Sequence, residues 1–148
     1  MMMKCKDIMT SNPTTCATSA TAQAAALIMN EENVGVVPVV DGQTKRLVGV
    51  VTDRDLCLDV VAEGKNPQEV KIGDLTHDNL VTCRAEDDIE LCLERMKSHQ
   101  IRRMPIVDQQ GLCIGIISQG DIALKMKQAE DVHDTVREIS KSRGRQAA

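Results

Sequence analysis

The stretch Val48-Gly49-Val50-Val51-Thr52-Asp53-Arg54-Asp55-Leu56 decides how the rest of the chain is read. Its β-branched valines favour a pleated strand. Gly49 leaves one step without a side chain, and Thr52 is placed to cap a helix starting at Asp53. A hydroxyl followed three residues later by a carboxylate, here Thr52 and Asp55, is a capping-box-like pattern. The stretch therefore predicts a buried strand running straight into a helix. The free N–H groups at such a helix start can hold an anion. The chain repeats the pattern as Ile114-Gly115-Ile116-Ile117-Ser118-Gln119-Gly120-Asp121-Ile122. Both copies carry glycine, two apolar residues, a hydroxyl, two variable residues, aspartate and an aliphatic.

Working outward, the repetition covers most of the chain. Asp7-Ile8-Met9-Thr10 is answered by Asp74-Leu75-Thr76-His77, and Thr15-Cys16 by Thr82-Cys83, both at an offset of 67 residues. Ala22, Ala25, Ala26 and Met29 fall at helical spacing, and Ile89, Cys92, Leu93 and Met96 match them one for one. Each set reads as the buried face of an amphipathic helix, with Thr21 and Asp88 as N-caps. Val36-Val37-Pro38-Val39-Val40-Asp41 and Arg103-Met104-Pro105-Ile106-Val107-Asp108 read as short strands. A proline near the start marks a strand beginning or an edge. Turns follow at Asp41-Gly42 and Gln109-Gln110-Gly111, the first one residue longer, so that the offset falls to 66 between Gly49 and Gly115. Each half thus reads strand, helix, strand, strand, helix, over residues 5–63 and 70–129, with a linker over 61–70. The last helix runs on. Ile122, Met126, Ala129, Val132, Val136 and Ile139 keep helical spacing past the point where the first copy ended. An apolar stripe of that length needs cover, from a partner subunit or from the same chain. Residues 130–148 read as a helix extension and, from Ser142, a disordered tail.

Composition narrows the function classes. The 148 residues are 42% hydrophobic and 27% charged, ordinary values for a soluble globular protein. The net charge of −4 argues against a general nucleic-acid binder. No apolar run reaches the length of a membrane span. Met1-Met2-Met3-Lys4-Cys5 lacks the apolar region of a signal peptide, so a cytoplasmic location is expected. Phe, Tyr and Trp are absent, so the core must be aliphatic with Met as filler. Stacking of single-stranded nucleic acid is disfavoured for the same reason. None of the six cysteines forms a Cys-x-x-Cys pair. Cys92 and Cys113 read as small buried hydrophobes, and a disulfide framework is not expected in a cytosolic chain. His77, His99 and His133 show no metal-ligand spacing on one helix. A Cys/His metal site assembled in three dimensions stays open. No nucleophile with an evident base is present, so no catalytic residue is assigned and no enzyme activity is expected.

These paired motifs resemble tandem CBS domains, the arrangement called a Bateman module. The resemblance rests on residues 7–10, 36–41 and 49–55 in the first copy, and on residues 101–108 and 115–121 in the second. It covers roughly residues 5 to 129. It implies an α/β (α+β) fold of two βαββα repeats packed about a pseudo-twofold axis, often as a homodimer. With nothing else attached, the chain reads as a stand-alone module. Such modules typically bind adenine-containing ligands (AMP, ADP, ATP, S-adenosylmethionine or dinucleotides), need no other cofactor, and regulate a partner protein, here unknown. The resemblance places Asp55 and Asp121 on ribose hydroxyls, and Thr52 and Ser118 on phosphate. It places Arg54 in the first copy, and Arg102 and Arg103 in the second, near phosphate, which a planar guanidinium grips with two parallel hydrogen bonds. Adenine would lie against Thr15, Cys16, Val37 and Pro38 in one site, and against Thr82, Cys83, Met104 and Pro105 in the other. Each residue also has a structural reading: the carboxylates and hydroxyls as helix caps, the arginines as surface ion pairs, the apolar residues as strand packing. Two other readings stay open, an interaction or stress-response protein of this fold without a nucleotide, and a metal- or redox-responsive Cys/His protein.

The composition supplies a test. Without Trp or Tyr the polypeptide is nearly transparent in the near ultraviolet. A nucleotide retained through purification and nuclease treatment should therefore dominate the spectrum with adenine's band, and a blank spectrum would count against tight retention.

Overall fold

A computed structural model describes residues 3–76 and 80–138, with side chains described as far as residue 128. The chain runs α1 (Cys5–Ile8), β1 (Thr10–Ser11), β2 (Cys16–Ala17), α2 (Ala22–Glu32), β3 (Val36–Val40), β4 (Leu47–Thr52) and α3 (Asp53–Leu56). It continues through β5 (Cys83–Arg84), α4 (Ile89–His99), β6 (Arg103–Val107), β7 (Cys113–Ser118) and α5 (Gln119–Glu138). A π-helical turn, Cys57–Val61, extends α3, and a 3-10 turn, Ile72–Asp74, opens the second half. Two sheets form, one ordered β2-β3-β4 and the other β1-β7-β6-β5.

The helices follow the sequence signals. Thr21 Oγ accepts from the Ala24 N–H at 3.1 Å and starts α2. Asp88 stands at the N-cap of α4 but makes no side-chain cap. Its carboxylate instead accepts from Lys4 Nζ at 2.7 Å. Both helices end in left-handed residues, Asn33 and Gln100. Ala22, Ala25 and Met29 are buried, as are Ile89, Cys92 and Met96. Ala26, expected on the buried face of α2, is exposed.

Two details differ from the sequence expectation. Strand β4 is not buried throughout. Leu47, Gly49 and Val51 point inward, while Val48 is exposed and Val50 half-buried, because β4 is the edge of its sheet and is covered on one face. The prolines are also not at strand starts or on edge strands. Pro38 pairs with Val50 in the middle of β3, the central strand. It is tolerated because β2 pairs only with Val39 and Val40, so the position lacking an N–H faces no ladder partner. Pro105 repeats the solution, since β5 pairs only with Ile106 and Val107.

The halves are tied together by exchanging their opening segments. The first opening packs on the second half. The Cys5 N–H donates to Asp87 O at 2.9 Å, and Thr10 pairs with Ile116 of β7. Cys5 and Ile8 are buried in a core with Cys83, Ile89, Met104 and Ile117. The second opening packs on the first half. The Ile72 N–H donates to Ala20 O at 2.8 Å, and Ile72 and Leu75 are buried with Ala25, Val37 and Val51. The glycines that both copies of the strand-to-helix motif share, Gly49 and Gly115, make room for these crossings. A Cβ on Gly115 would overlap the Met9 side chain, and one on Gly49 would come within 3.0 Å of Thr76 Cβ.

In α5, Ile122 is buried while Leu124 and Met126 are exposed. The further stripe positions Ala129, Val132 and Val136 have side chains outside the described residues, and Ile139 and the tail from Ser142 lie outside them altogether.

The crossing yields a prediction. Gly115→Val should destabilise the protein by about 1–3 kcal/mol, as overpacking of a close contact does. Adding Met9→Ala should recover much of that loss. Urea unfolding followed by circular dichroism measures both, and additive effects would show that Met9 is not what the new side chain meets.

Candidate functional site

The two helix starts are built alike. The Asp55 N–H donates to Thr52 Oγ at 3.1 Å, and the Thr52 N–H donates to Asp55 Oδ2 at 2.9 Å. The Asp121 N–H donates to Ser118 Oγ at 3.0 Å, and the Ser118 N–H donates to Asp121 Oδ2 at 3.1 Å. These are reciprocal capping boxes. Each uses only one carboxylate oxygen. Oδ1 of Asp55 and of Asp121 has no protein donor among the described residues. Each helix start is also pinned to the residue just before β3 or β6, Asp53 N–H donating to Gly35 O at 2.9 Å and Gln119 N–H to Arg102 O at 2.8 Å.

A cavity of about 420 Å³ lies at the second helix start, where Ser118, Asp121, Ile116 and Arg103 line it. Its remaining wall comes from the first half: residues 10–14 and the end of α2 with the turn that follows, including Ile28, Glu32 and Gly35. Gly35 is a necessary gap. A Cβ there would lie 2.9 Å from Asp53 Oδ2 and 3.0 Å from Arg103 Nη2. Thr14 Oγ donates to Glu32 Oε1 at 2.9 Å across the wall. Asn12 holds the loop in a left-handed turn (φ 51°), and its N–H donates to Ile114 O.

Of the residues singled out in the sequence, the structure brings Arg103, Ser118 and Asp121 to this cavity. Thr52, Arg54 and Asp55 sit together at the other helix start, with Arg54 exposed. The stretch matching 10–14 there is 77–81, whose first three residues lie outside the described residues. Arg102 is exposed. Thr15 and Thr82 are half-buried at the strand entries, and Thr82 O accepts from Arg95 Nη1 at 2.7 Å. Cys16, Val37, Cys83 and Met104 belong to the cores, and Pro38 and Pro105 are buried as well. Burial pushes the Cys16 thiol up to about 11. Residues 10–14, Ile28, Glu32 and Gly35 were not foreseen. The small polar run Thr10-Ser11-Asn12-Pro13-Thr14 was the available signal.

A second cluster lies in the core of the second half. The sulfurs of Cys5, Cys83 and Cys92, all buried, are within 4.8 Å of one another. Sequence spacing had not joined them. Among the described residues no helix is long and apolar enough to cross a membrane.

Comparison with known proteins gives the class. The CBS domain family matches residues 5–61 and again 72–127. The chain belongs to the CBS-domain family, as a pair of such domains. It is 36% identical over 145 residues to the uncharacterized protein YlbB of Bacillus subtilis, covering 98% of this chain and 97% of that one. The crystal structure of Hypoxic Response Protein I, with two coordinated zinc ions, superposes with a TM-score of 0.74 at 31% identity, covering 82% of this chain and 97% of that one. The CBS domain pair of protein MJ0100, in complex with 5-methylthioadenosine and S-adenosyl-L-methionine, superposes with a TM-score of 0.74 at 25% identity, covering 84% and 99%.

The caps are testable on their own. Thr52→Ala and Ser118→Ala should each lower stability by about 0.5–2 kcal/mol, the cost of a lost N-cap. Urea midpoints report it, and unchanged midpoints would show that the boxes carry no stability.

Proposed function

We propose that this CBS-domain pair is a non-catalytic regulatory module that binds an adenosyl ligand in the cavity at Asp121. The observation that carries the reading is the divided carboxylate. Oδ2 caps the helix, while Oδ1 is left without a protein donor among the described residues at the wall of a cavity of about 420 Å³. Oδ1 is then free to accept from the ribose hydroxyls. Arg103 supplies the phosphate-facing guanidinium, and the Ser118 hydroxyl serves the cap and the ligand together. Ile28, Val34 and Ile116 offer an aliphatic wall for the base. The volume falls within the usual range for small-molecule sites, about 300–1,000 Å³. The adenosyl ligands held by the MJ0100 pair support the same class.

Charge refines the choice of ligand. Asp121 and Glu32 place two carboxylates on the wall against one arginine, Arg103. That balance favours S-adenosylmethionine, whose sulfonium is positive, and places AMP, with one phosphate, ahead of ATP. Thr52, Arg54 and Asp55 form the matching half-site, with its cation on the helix rather than on the strand. Contacts to adenine from Cys16, Val37 and Pro38, and from Cys83, Met104 and Pro105, would be made by backbone, since these side chains are buried. Exposed Leu124 and Met126 on α5 support association into a homodimer, whose arrangement the ligand would bias. Such a switch requires different affinities for the two arrangements.

Isothermal titration of the full chain with AMP, ATP and S-adenosylmethionine tests this. Asp121→Ala should cost about 1.5–3 kcal/mol of binding, the range for hydrogen bonds to charged groups. That is a loss of roughly tenfold to hundredfold. Asp121→Asn, which keeps an oxygen for the cap, separates lost binding from lost stability. No heat with any of the three ligands would leave an interaction protein of this fold as the better reading.

A further inference from the structure

The internal repeat provides its own control for the buried cysteines. At the offset of 67, Cys5, Cys83, Cys92 and Met96 of the second core correspond to Ile72, Cys16, Ala25 and Met29 of the first. Both sets are buried, in cores of the same construction. The fold therefore closes well with isoleucine and alanine at two of these positions. The second core holds thiols there instead. A third difference points the same way. Arg95 stands where the first repeat has Ile28, and its Nη1 reaches Cys83 Sγ at 3.6 Å while donating to Thr82 O.

We propose that Cys5, Cys83 and Cys92 form a binding site for a thiophilic divalent d¹⁰ cation, of the zinc or cadmium type, with Met96 beside it and Arg95 balancing its charge. The three sulfurs lie within 4.8 Å of one another, and Cys92 Sγ is 3.8 Å from Met96 Sδ. A tetrahedral centre with metal–sulfur bonds of ~2.3 Å needs sulfurs ~3.8 Å apart, so the site closes by small side-chain movements. Thiolate and thioether sulfur select soft ions. Each thiol binds as thiolate and gives its proton to solvent. Three thiolates and a divalent ion carry a net charge of −1, which the Arg95 guanidinium offsets. A monovalent ion would leave −2 in an aliphatic core, where unpaired charge is costly. None of these residues lines the cavity at Asp121, and the adenosyl reading asks only for the backbone of Cys83, not its thiol.

The test titrates the reduced, chelator-treated full chain with Co²⁺, then displaces it with Zn²⁺. The absence of aromatic residues leaves the charge-transfer region clear. One equivalent should give visible tetrahedral bands and a thiolate charge-transfer band, both removed by Zn²⁺, and Zn²⁺ should raise the melting temperature. Cys5→Ile and Cys92→Ala install the residues that the first core already packs, and each should abolish the thiolate band in a folded protein. Arg95→Ile should keep the bands and weaken the affinity by about 10–100-fold, the effect of removing an outer partner of a metal site. Cys57→Ala and Cys113→Ala should change nothing. A wild-type protein with no saturable thiolate band, or bands that survive Cys5→Ile and Cys92→Ala, overturns the proposal.

Discussion

The rest of the structure depends on two close crossings, Met9 over Gly115 and Thr76 over Gly49. At each, the segment that opens one repeat lies across the last strand of the other. The apolar residues carried by these segments complete the core they cross. Ile72 and Leu75 are buried in the first core, Cys5 and Ile8 in the second. Full burial of an aliphatic side chain is worth about 1.5–3 kcal/mol, so either core alone would lack a substantial share of its stability. The pair, rather than the repeat, is the unit that can fold. Both glycines are needed because any side chain there would hold the crossing segment away.

That constraint also explains what could be read in the sequence and what could not. The two copies of the strand-to-helix motif, with helices at a constant offset, gave the elements and the pairing of repeats. Periodicity gave burial at Ala25, Met29, Cys92 and Met96. It could not say what those residues are buried against. Cys92 was read as a small hydrophobe, and it is buried, but its neighbours Cys5 and Cys83 arrive from other segments at no regular spacing. The prolines misled for a related reason. The proline was expected to mark a strand beginning or an edge strand, whereas β2 and β5 are two residues long, so the central strands β3 and β6 each have an edge for part of their length.

At the cavity, capping and ligand recognition stood as competing readings of the same carboxylate. The geometry makes them compatible. A carboxylate has two oxygens, and the cap occupies Oδ2 only. The cap fixes the side-chain rotamer, so Oδ1 is presented without further loss of freedom. Thr52, Ser118 and the two aspartates were legible because both partners of each box lie within one motif. Residues 10–14 and Gly35 were not, because they reach the second helix start from the other repeat.

Two repeats with one fold let differences be weighed at fixed geometry. Where the backbone demands are equal, a change of residue reports something other than folding. Gly35 and Val36 against Arg102 and Arg103 place the strand-borne cations in one half only. Because Gly35 is bare, Arg103 can lie across it into the shared cavity, so the small residue of one repeat and the large residue of the other form one feature. Ile28 against Arg95 makes the same point on the helices. Ile28 contributes an apolar wall to the cavity, while its counterpart turns its guanidinium to Thr82 O and Cys83 Sγ. One helical position thus serves the cleft in the first repeat and the core in the second. The two repeats are therefore not equivalent: residues that share a place in the fold face the cavity in one and the core in the other.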